Sequence, residues 1–276
     1  MRATPPALLL VAFSLFAVTL ASPSLQAQQS TAATPASAGA TVCDTQALTV
    51  LQRAVAAMGG SAPLDSTAAG TIEITAGTRT ESGSFTLLTR GVTQSAERIA
   101  AAFTAETRVY SGGWAALTVG QSTQTLSIEG SLGNQSVIFP LPFLLNALSD
   151  TSLSCEYLGT VATDSVPQLH IRFWHQHANK PGWRSLVPFT VVDVWIDPNS
   201  TLPLRISYGR LDRESDMPTL SIDVFFSRYQ NFAGVLYPMN IKESWNGTPW
   251  AEITIQSVAL NSGLTDSNFP VVMEAE

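Results

Sequence analysis

The chain has 276 residues, 45% of them hydrophobic and only 13% charged, which is enough apolar material for a sizeable core and not the composition of a disordered protein. Fourteen basic residues stand against 21 acidic ones, for a net charge of −7, and no Lys/Arg cluster occurs anywhere. That balance argues against nucleic acid and anionic membrane surfaces as partners.

In chain order, Arg2 is followed by an apolar run from Ala7 to Leu20, then by small and polar residues through Ala27 and Ala33. This is the order of a secretory signal, and the run is shorter than the ~20 residues a spanning helix needs. Residues 1–27 are therefore read as a signal peptide, with Ala21 and Ala27 both suited to cleavage. Cys43 lies too far beyond the run to be the acylated cysteine of a lipoprotein, so the mature protein is expected to be soluble, not membrane-spanning, and periplasmic or secreted. Residues 28–42, QQSTAATPASAGATV, offer almost nothing to bury and read as a flexible leader. The folded domain is expected over residues 43–276. In an oxidising compartment its two cysteines, Cys43 and Cys155, are expected to form a disulfide.

The first element predicted is a helix. Leu48, Leu51, Val55 and Met58 recur at spacings of three and four, Asp44 or Thr45 can cap the start, and Gly59-Gly60 stops it. From Gly70 the period becomes two, with the segments GTIEITAG, GSFTLLTR, TRVYSG, WAALTVG and TQTLSIEG spaced as in an antiparallel meander. A second, very apolar helix is predicted in FPLPFLLNALSD, where Leu141, Leu144, Leu145 and Leu148 share a face after a helix-opening proline. Strands resume with CEYLGTV, QLHIRFWH, TVVDVWID, PLRISYG and LSIDVFFSRY, and end with VLYPMNIKESWNGTPWAEITIQSVALN and SVALNSG. About ten strands and two short helices give an α+β chain dominated by one antiparallel sheet.

The hairpin over residues 235–261 has two readings. A two-residue Asn246-Gly247 turn places Trp245 opposite Thr248 and mixes polar with apolar faces. A three-residue loop, Trp245-Asn246-Gly247, with a G1 bulge places Ser244 opposite Thr248. Ile241 then faces Ala251, Met239 faces Ile253 and Tyr237 faces Ile255, while Asn240, Lys242, Glu252, Thr254 and Gln256 take the wet side. The apolar pattern favours the three-residue loop. Val192, Val194 and Ile196 likewise alternate with Asp193, Trp195 and Asp197; Leu204, Ile206 and Tyr208 with Arg205 and Ser207; and Leu220, Ile222, Val224 and Phe226 with Ser221, Asp223 and Ser227. Two short helices cannot cover so wide an apolar face, so the sheet must curl or leave a cavity.

A helix ending in AMGG, the segment VWIDPNSTLPLRI, the run FFSRYQNFAGVLYPMNIKESWNGTPWAEITIQSVALN and a closing DSNFP together resemble the LolA-like, lipoprotein-sorting group of secreted bacterial proteins. The resemblance covers roughly Asp44 to Pro270. It implies a half-barrel of one curled antiparallel sheet wrapped around short helices, whose apolar hollow holds acyl chains or other lipid-like ligands. On the register above, Tyr237, Met239, Ile241, Ile253 and Ile255 point into that hollow with Val224 and Phe226, and the helix around Phe143 and Leu144 lies over them as a plug or lid. A monomeric, non-enzymatic carrier without a cofactor is expected, with a lipid-like or acyl-chain ligand and an envelope protein as a further kind of partner. The competing reading is a periplasmic interaction or sensor module without a small ligand, suggested by Trp174, Trp183, Trp195, Trp245 and Trp250.

Enzymatic signals are weak. His175 and His177 form an H-x-H beside His170, a metal-like spacing, but at a strand end next to ANKPG and with no carboxylate or Cys close in sequence, so no metal is expected there. G-x-S-x-G, H-E-x-x-H and P-loop signatures are absent from the sequence. Asp193 and Asp197 share one side of a strand, but that side is the wet one, and a glycosidase-type acid pair does not suit it.

Overall fold

The computed structural model describes residues 43–125, 136–163, 166–176, 182, 187–188, 190–210 and 220–271. All of them fall within one unit, Ala38–Glu276. The expected signal and leader lie outside the described residues, as do His177 and Trp183.

Helix α1 (Thr45–Ala57) starts where a cap is available. Asp44 is extended, and its carboxylate accepts the Ala47 amide at 2.6 Å, satisfying one of the orphan donors of the first turn. The helix ends at Met58, where Gly59 (φ 120°) and Gly60 (φ 79°) take backbone conformations open to glycine. Ala47, Val50, Leu51, Ala54 and Val55 form its buried face, with Leu48 only half-buried. Helix α2 (Pro140–Ser149) opens on Pro140 and Pro142, which lack the N–H groups a first turn leaves unpaired. Its buried face comprises Leu141, Phe143, Leu144 and Ala147, whereas Leu145 and Leu148, expected on that face, are half-buried against it.

Everything else is one antiparallel sheet of thirteen strands, where the sequence suggested about ten. The first half comprises β1 (Asp65–Ala76), β2 (Arg79–Arg90), β3 (Gln94–Ala101), β4 (Ala105–Ser111), β5 (Trp114–Val119) and β6 (Ser122–Thr125). The second comprises β7 (Leu153–Thr163), β8 (Val166–His175), β9 (Val192–Ile196), β10 (Pro203–Arg210), β11 (Leu220–Phe232), β12 (Val235–Trp245) and β13 (Thr248–Leu260). The order is β6-β5-β4-β3-β2-β1-β13-β12-β11-β10-β9-β8-β7. Two meanders of neighbouring strands are thus joined at a central seam, β1 against β13, and β6 and β7 form the two edges. SVALNSG is not a separate strand but the end of β13. At the seam β13 carries a bulge opposite Ala69 and Gly70, and a Cβ at Gly70 would collide with the Thr254 carbonyl oxygen, so only glycine fits there.

The β12–β13 hairpin corrects the expected turn. Asn246 (φ 49°) and Gly247 (φ 76°) both lie in the left-handed region, and Trp245 pairs with Thr248, which is the two-residue primed turn that Asn-Gly favours. The register then shifts: Ser244 is opposite Pro249 but Glu243 is opposite Ala251, so Trp250 is an extra, bulged residue. Ile241 therefore faces Ile253, not Ala251. The expected face survives because the bulge moves the register by two relative to the three-residue loop, and a shift of two keeps every side chain on its side.

The chain must travel from edge β6 to edge β7, and α2 lies on that connection. With α1 it fills the concave face, where one large cluster gathers both helices and strands from β1 to β13. The opposite face carries a small cluster of Leu88, Ala96 and Val109 under Phe269, beside a 3₁₀ turn (Asp266–Asn268). Asp65 fastens this last segment, accepting the amides of Ser262, Gly263 and Leu264. Cys43 and Cys155 are bridged, and the Asp44 amide donates to the Cys155 carbonyl at 3.0 Å. The start of α1 is thereby pinned to edge strand β7.

Candidate ligand-binding hollow

The nine residues predicted to line a hollow all lie in the concave cluster: Phe143, Leu144, Val224, Phe226, Tyr237, Met239, Ile241, Ile253 and Ile255. None is more than 8% exposed. Their convergence follows from period two. Tyr237, Met239 and Ile241 alternate along β12, Ile253 and Ile255 along β13, and Val224 and Phe226 along β11, with Asn240, Lys242, Glu252, Thr254, Asp223 and Ser227 among the intervening residues of the outer face. Helix α2 reaches them from above. Phe143 packs edge-on against Phe173 with centroids 5.8 Å apart, and Phe139, just before α2, stacks on Tyr237 at 4.2 Å. The hollow is thus filled by the chain's own helices. A separate cavity of about 450 Å³ lies at the ends of β3, β4 and β5, lined by Gln94, Ser111, Trp114, Asp266 and Phe269, and none of the nine residues takes part in it.

One end of the concave face is polar, which the sequence reading missed. Ser66, Thr89, Ser95 and Tyr110 stand directly opposite one another across β1, β2, β3 and β4. All four are buried, and Ser66 and Thr89 share a hydrogen bond of 2.6 Å. The next row on the same face places Glu97 opposite Arg108, and Arg108 donates to Glu106 at 3.1 Å. Burial opposes the guanidinium charge, but Tyr110, Glu106, Glu97 and Tyr208 around it raise its pKa. Tyr208 belongs to β10, so Arg108 feels both arms of the curled sheet. The signal was present in GSFTLLTR, where Thr89 continues the alternation of Phe85 and Leu87.

The outer face of the second half carries another ladder. His170, Trp195, Arg205 and Phe225 are successive cross-strand neighbours on β8, β9, β10 and β11. The His170 ring stacks on Trp195 at 4.5 Å, and the Arg205 guanidinium lies 4.1 Å from the Trp195 centroid. Asp193 accepts from His170 at 2.8 Å and from Arg172 at 2.9 and 3.0 Å; Asp223 accepts from Arg205 at 2.6 Å. Burial would raise the Asp193 carboxyl, yet these donors hold it below the ordinary carboxylate range. Asp197 lies past the end of β9, where its carboxylate accepts from Ser200 and Asn199 in its own turn, so the two aspartates form no acid pair. His175 faces Ser152 at 3.2 Å. Among the described residues no three His, Cys, Asp or Glu side chains come together as metal ligands, and no helix is long and apolar enough to cross a membrane.

An open curled sheet with helices in its concavity is shared with solved structures. A DUF1329 family protein from Desulfovibrio piger matches with a TM-score of 0.53 at 14% identity, covering 80% of this chain and 96% of that one. A LolA superfamily protein from Nitrosomonas europaea matches with a TM-score of 0.53 at 15% identity, over 82% of this chain and 97% of that one. The chain has the fold of the LolA superfamily. A Vibrio parahaemolyticus domain named for outer membrane lipoprotein sorting also shares the fold, with a TM-score of 0.53, 12% identity and coverage of 80% of this chain and 95% of that one. No family model and no curated protein matches the chain.

Proposed function

We propose that the chain is a non-enzymatic, monomeric carrier, exported by a signal peptide at residues 1–27 to the periplasm or beyond, that takes a lipid-like or acyl-chain ligand into the concave face of its LolA-type sheet. The observation that carries this reading is the nature of the cover. Helix α2 is a short, almost wholly apolar element on the connection between two unpaired sheet edges, and the residue before it, Phe139, provides no side-chain cap. Burial of apolar area is non-directional and worth about 25 cal/mol per Å² whichever molecule supplies the area. An acyl chain that displaces α2 from Phe173, and Phe139 from Tyr237, replaces like with like, so loading costs little beyond moving the helix. Lipoprotein sorting in the name of the Vibrio domain agrees with such cargo, and an envelope protein is then the natural recipient.

The test is native mass spectrometry of protein isolated from its own envelope, together with titration of a fluorescent acyl-chain probe. A co-purifying lipid-sized mass and saturable probe binding are expected. Protein that carries no such mass and binds no probe would leave an interaction module as the better reading.

A further inference from the structure

We infer that the ligand is an amphiphile with an uncharged, hydroxyl-bearing head, seated at the polar end of the concave face. This rests on the carrier reading and specifies its ligand. Two buried hydroxyls at that end have no hydrogen-bond partner: Tyr237 Oη and Ser136 Oγ. Their residues are 0% and 9% exposed. A buried hydroxyl without a partner costs about 1–3 kcal/mol, so two of them, at the two ends of one row of hydroxyls, mark a site built for a partner that comes and goes. Both adjoin the hydroxyl row. The Ser136 amide donates to Ser95 Oγ at 3.4 Å. Burial raises the Tyr237 phenol pKa and the nearby Ser66 hydroxyl works against it; Ser66 Oγ is bonded to Thr89 at 2.6 Å, and its approach to Tyr237 Oη falls short of hydrogen-bonding geometry.

Charge selects the head. Among the described residues, the carboxylates and guanidinium on this end are Glu97, Glu106 and Arg108, two acids against one base, and the guanidinium already donates to Glu106. A phosphate or carboxylate would meet an acidic surplus and find the cation engaged. A glycerol- or sugar-like head instead brings both donors and acceptors, which Tyr237, Ser136 and the row Ser66–Thr89–Ser95 can match. From this end the acyl chain runs toward Met239, Ile241 and Ile253, which carry no polar atom on their side chains. Phe139, stacked on Tyr237, covers that ring at the polar end.

The experiment measures displacement of a fluorescent acyl-chain probe from the secreted protein by three ligands of equal chain length: 1-monooleoylglycerol, methyl oleate and oleate. Wild type is expected to bind 1-monooleoylglycerol about tenfold more tightly than either of the others, the effect of one or two buried hydrogen bonds. In a Ser136→Ala/Tyr237→Phe double variant that preference should fall to near unity. Ser136→Ala alone, a one-atom deletion, reads the same ratio if the double variant does not fold. Probe binding with no preference in wild type, as when the two hydroxyls serve only bound water, overturns the head-group assignment and leaves the carrier standing. An unchanged ratio in the variants does the same. Absence of probe binding overturns both.

Discussion

The carboxylate of Asp44 holds the backbone amide of Tyr157 at 2.6 Å, while its other oxygen caps helix α1 through Ala47. One side chain thus satisfies a helix end and an unpaired amide on edge strand β7, next to the disulfide that joins the same two elements. Asp44→Ala removes both acceptors and should cost about 2 kcal/mol, roughly one for the cap and one for the stranded amide. Urea denaturation read against the same change at Thr45, whose side chain is exposed, checks this; equal costs would refute the double role.

The bridge between Cys43 and Cys155 spans a sequence separation of 112, which on the loop-entropy model is worth about 4 to 5 kcal/mol. Thiol labelling of denatured, unreduced protein should find no free cysteine, and a Cys43→Ser/Cys155→Ser variant should unfold at markedly lower denaturant. Two labelled thiols in unreduced protein would contradict the bridge.

Ile253 and Thr254 are sequence neighbours on opposite faces of β13. Ile253→Glu places a carboxylate among Ile241, Ile72 and the helices, where desolvation opposes it; it should abolish probe uptake and cost about 4 kcal/mol. Thr254→Glu lies on the outer face beside Asn240 and Thr71 and should stay within about 0.5 kcal/mol of wild type. Equal damage from both would mean that the concave face is wrongly drawn.

Tyr237→Phe deletes a buried hydroxyl that has no partner and keeps the ring stacked on Phe139. The substitution is expected to leave thermal stability unchanged or to raise it by about 1 kcal/mol, the reverse of the usual sign for a fully buried tyrosine. A loss above about 1 kcal/mol in calorimetry would show that the hydroxyl is satisfied in the free protein.

Asp193 predicts a pH dependence. Its folded-state pKa lies below the ordinary carboxylate value, so its contribution is fully present above the unfolded pKa of about 3.9 and is lost as pH falls through the folded value. Asp193→Asn should therefore cost about 2 kcal/mol at neutral pH, with the gap to wild type closing below about pH 4. Denaturant midpoints measured from pH 7 to pH 3 give the comparison, and a gap that widens on acidification would reverse the assignment.

Period-two alternation made the concave face readable: Val224, Tyr237, Ile253 and their neighbours are apolar because that side is buried, and Asp44 and Gly59-Gly60 announced both ends of α1. What escaped had no local signature. Strand β3, QSAERIAA, has a single β-branched residue, Ile99, and is extended because β2 and β4 hold it on both sides. The bulge at Trp250 inserts a residue without disturbing the alternation on either flank, so a longer turn explained the same pattern equally well. The hydroxyl row is spread over Ser66, Thr89, Ser95 and Tyr110, and only strand pairing reveals that these four residues meet. The outer ladder from His170 to Phe225 was hidden likewise, as single polar or aromatic positions on what read as a solvated face.

The central seam also has a temporal meaning. Each meander can assemble from neighbouring strands as they appear, but β1 finds its second partner only in β13, with Ser66 opposite Leu260. Closing so long a loop is entropically costly and slow compared with hairpin formation. During synthesis the first half therefore waits with one flank of β1 unpaired until β13 has been made, and chains truncated shortly before Thr248 should persist as two unjoined half-sheets prone to edge-to-edge association. Strand β13 is in this sense the keystone of the sheet, the one element that pairs with both meanders.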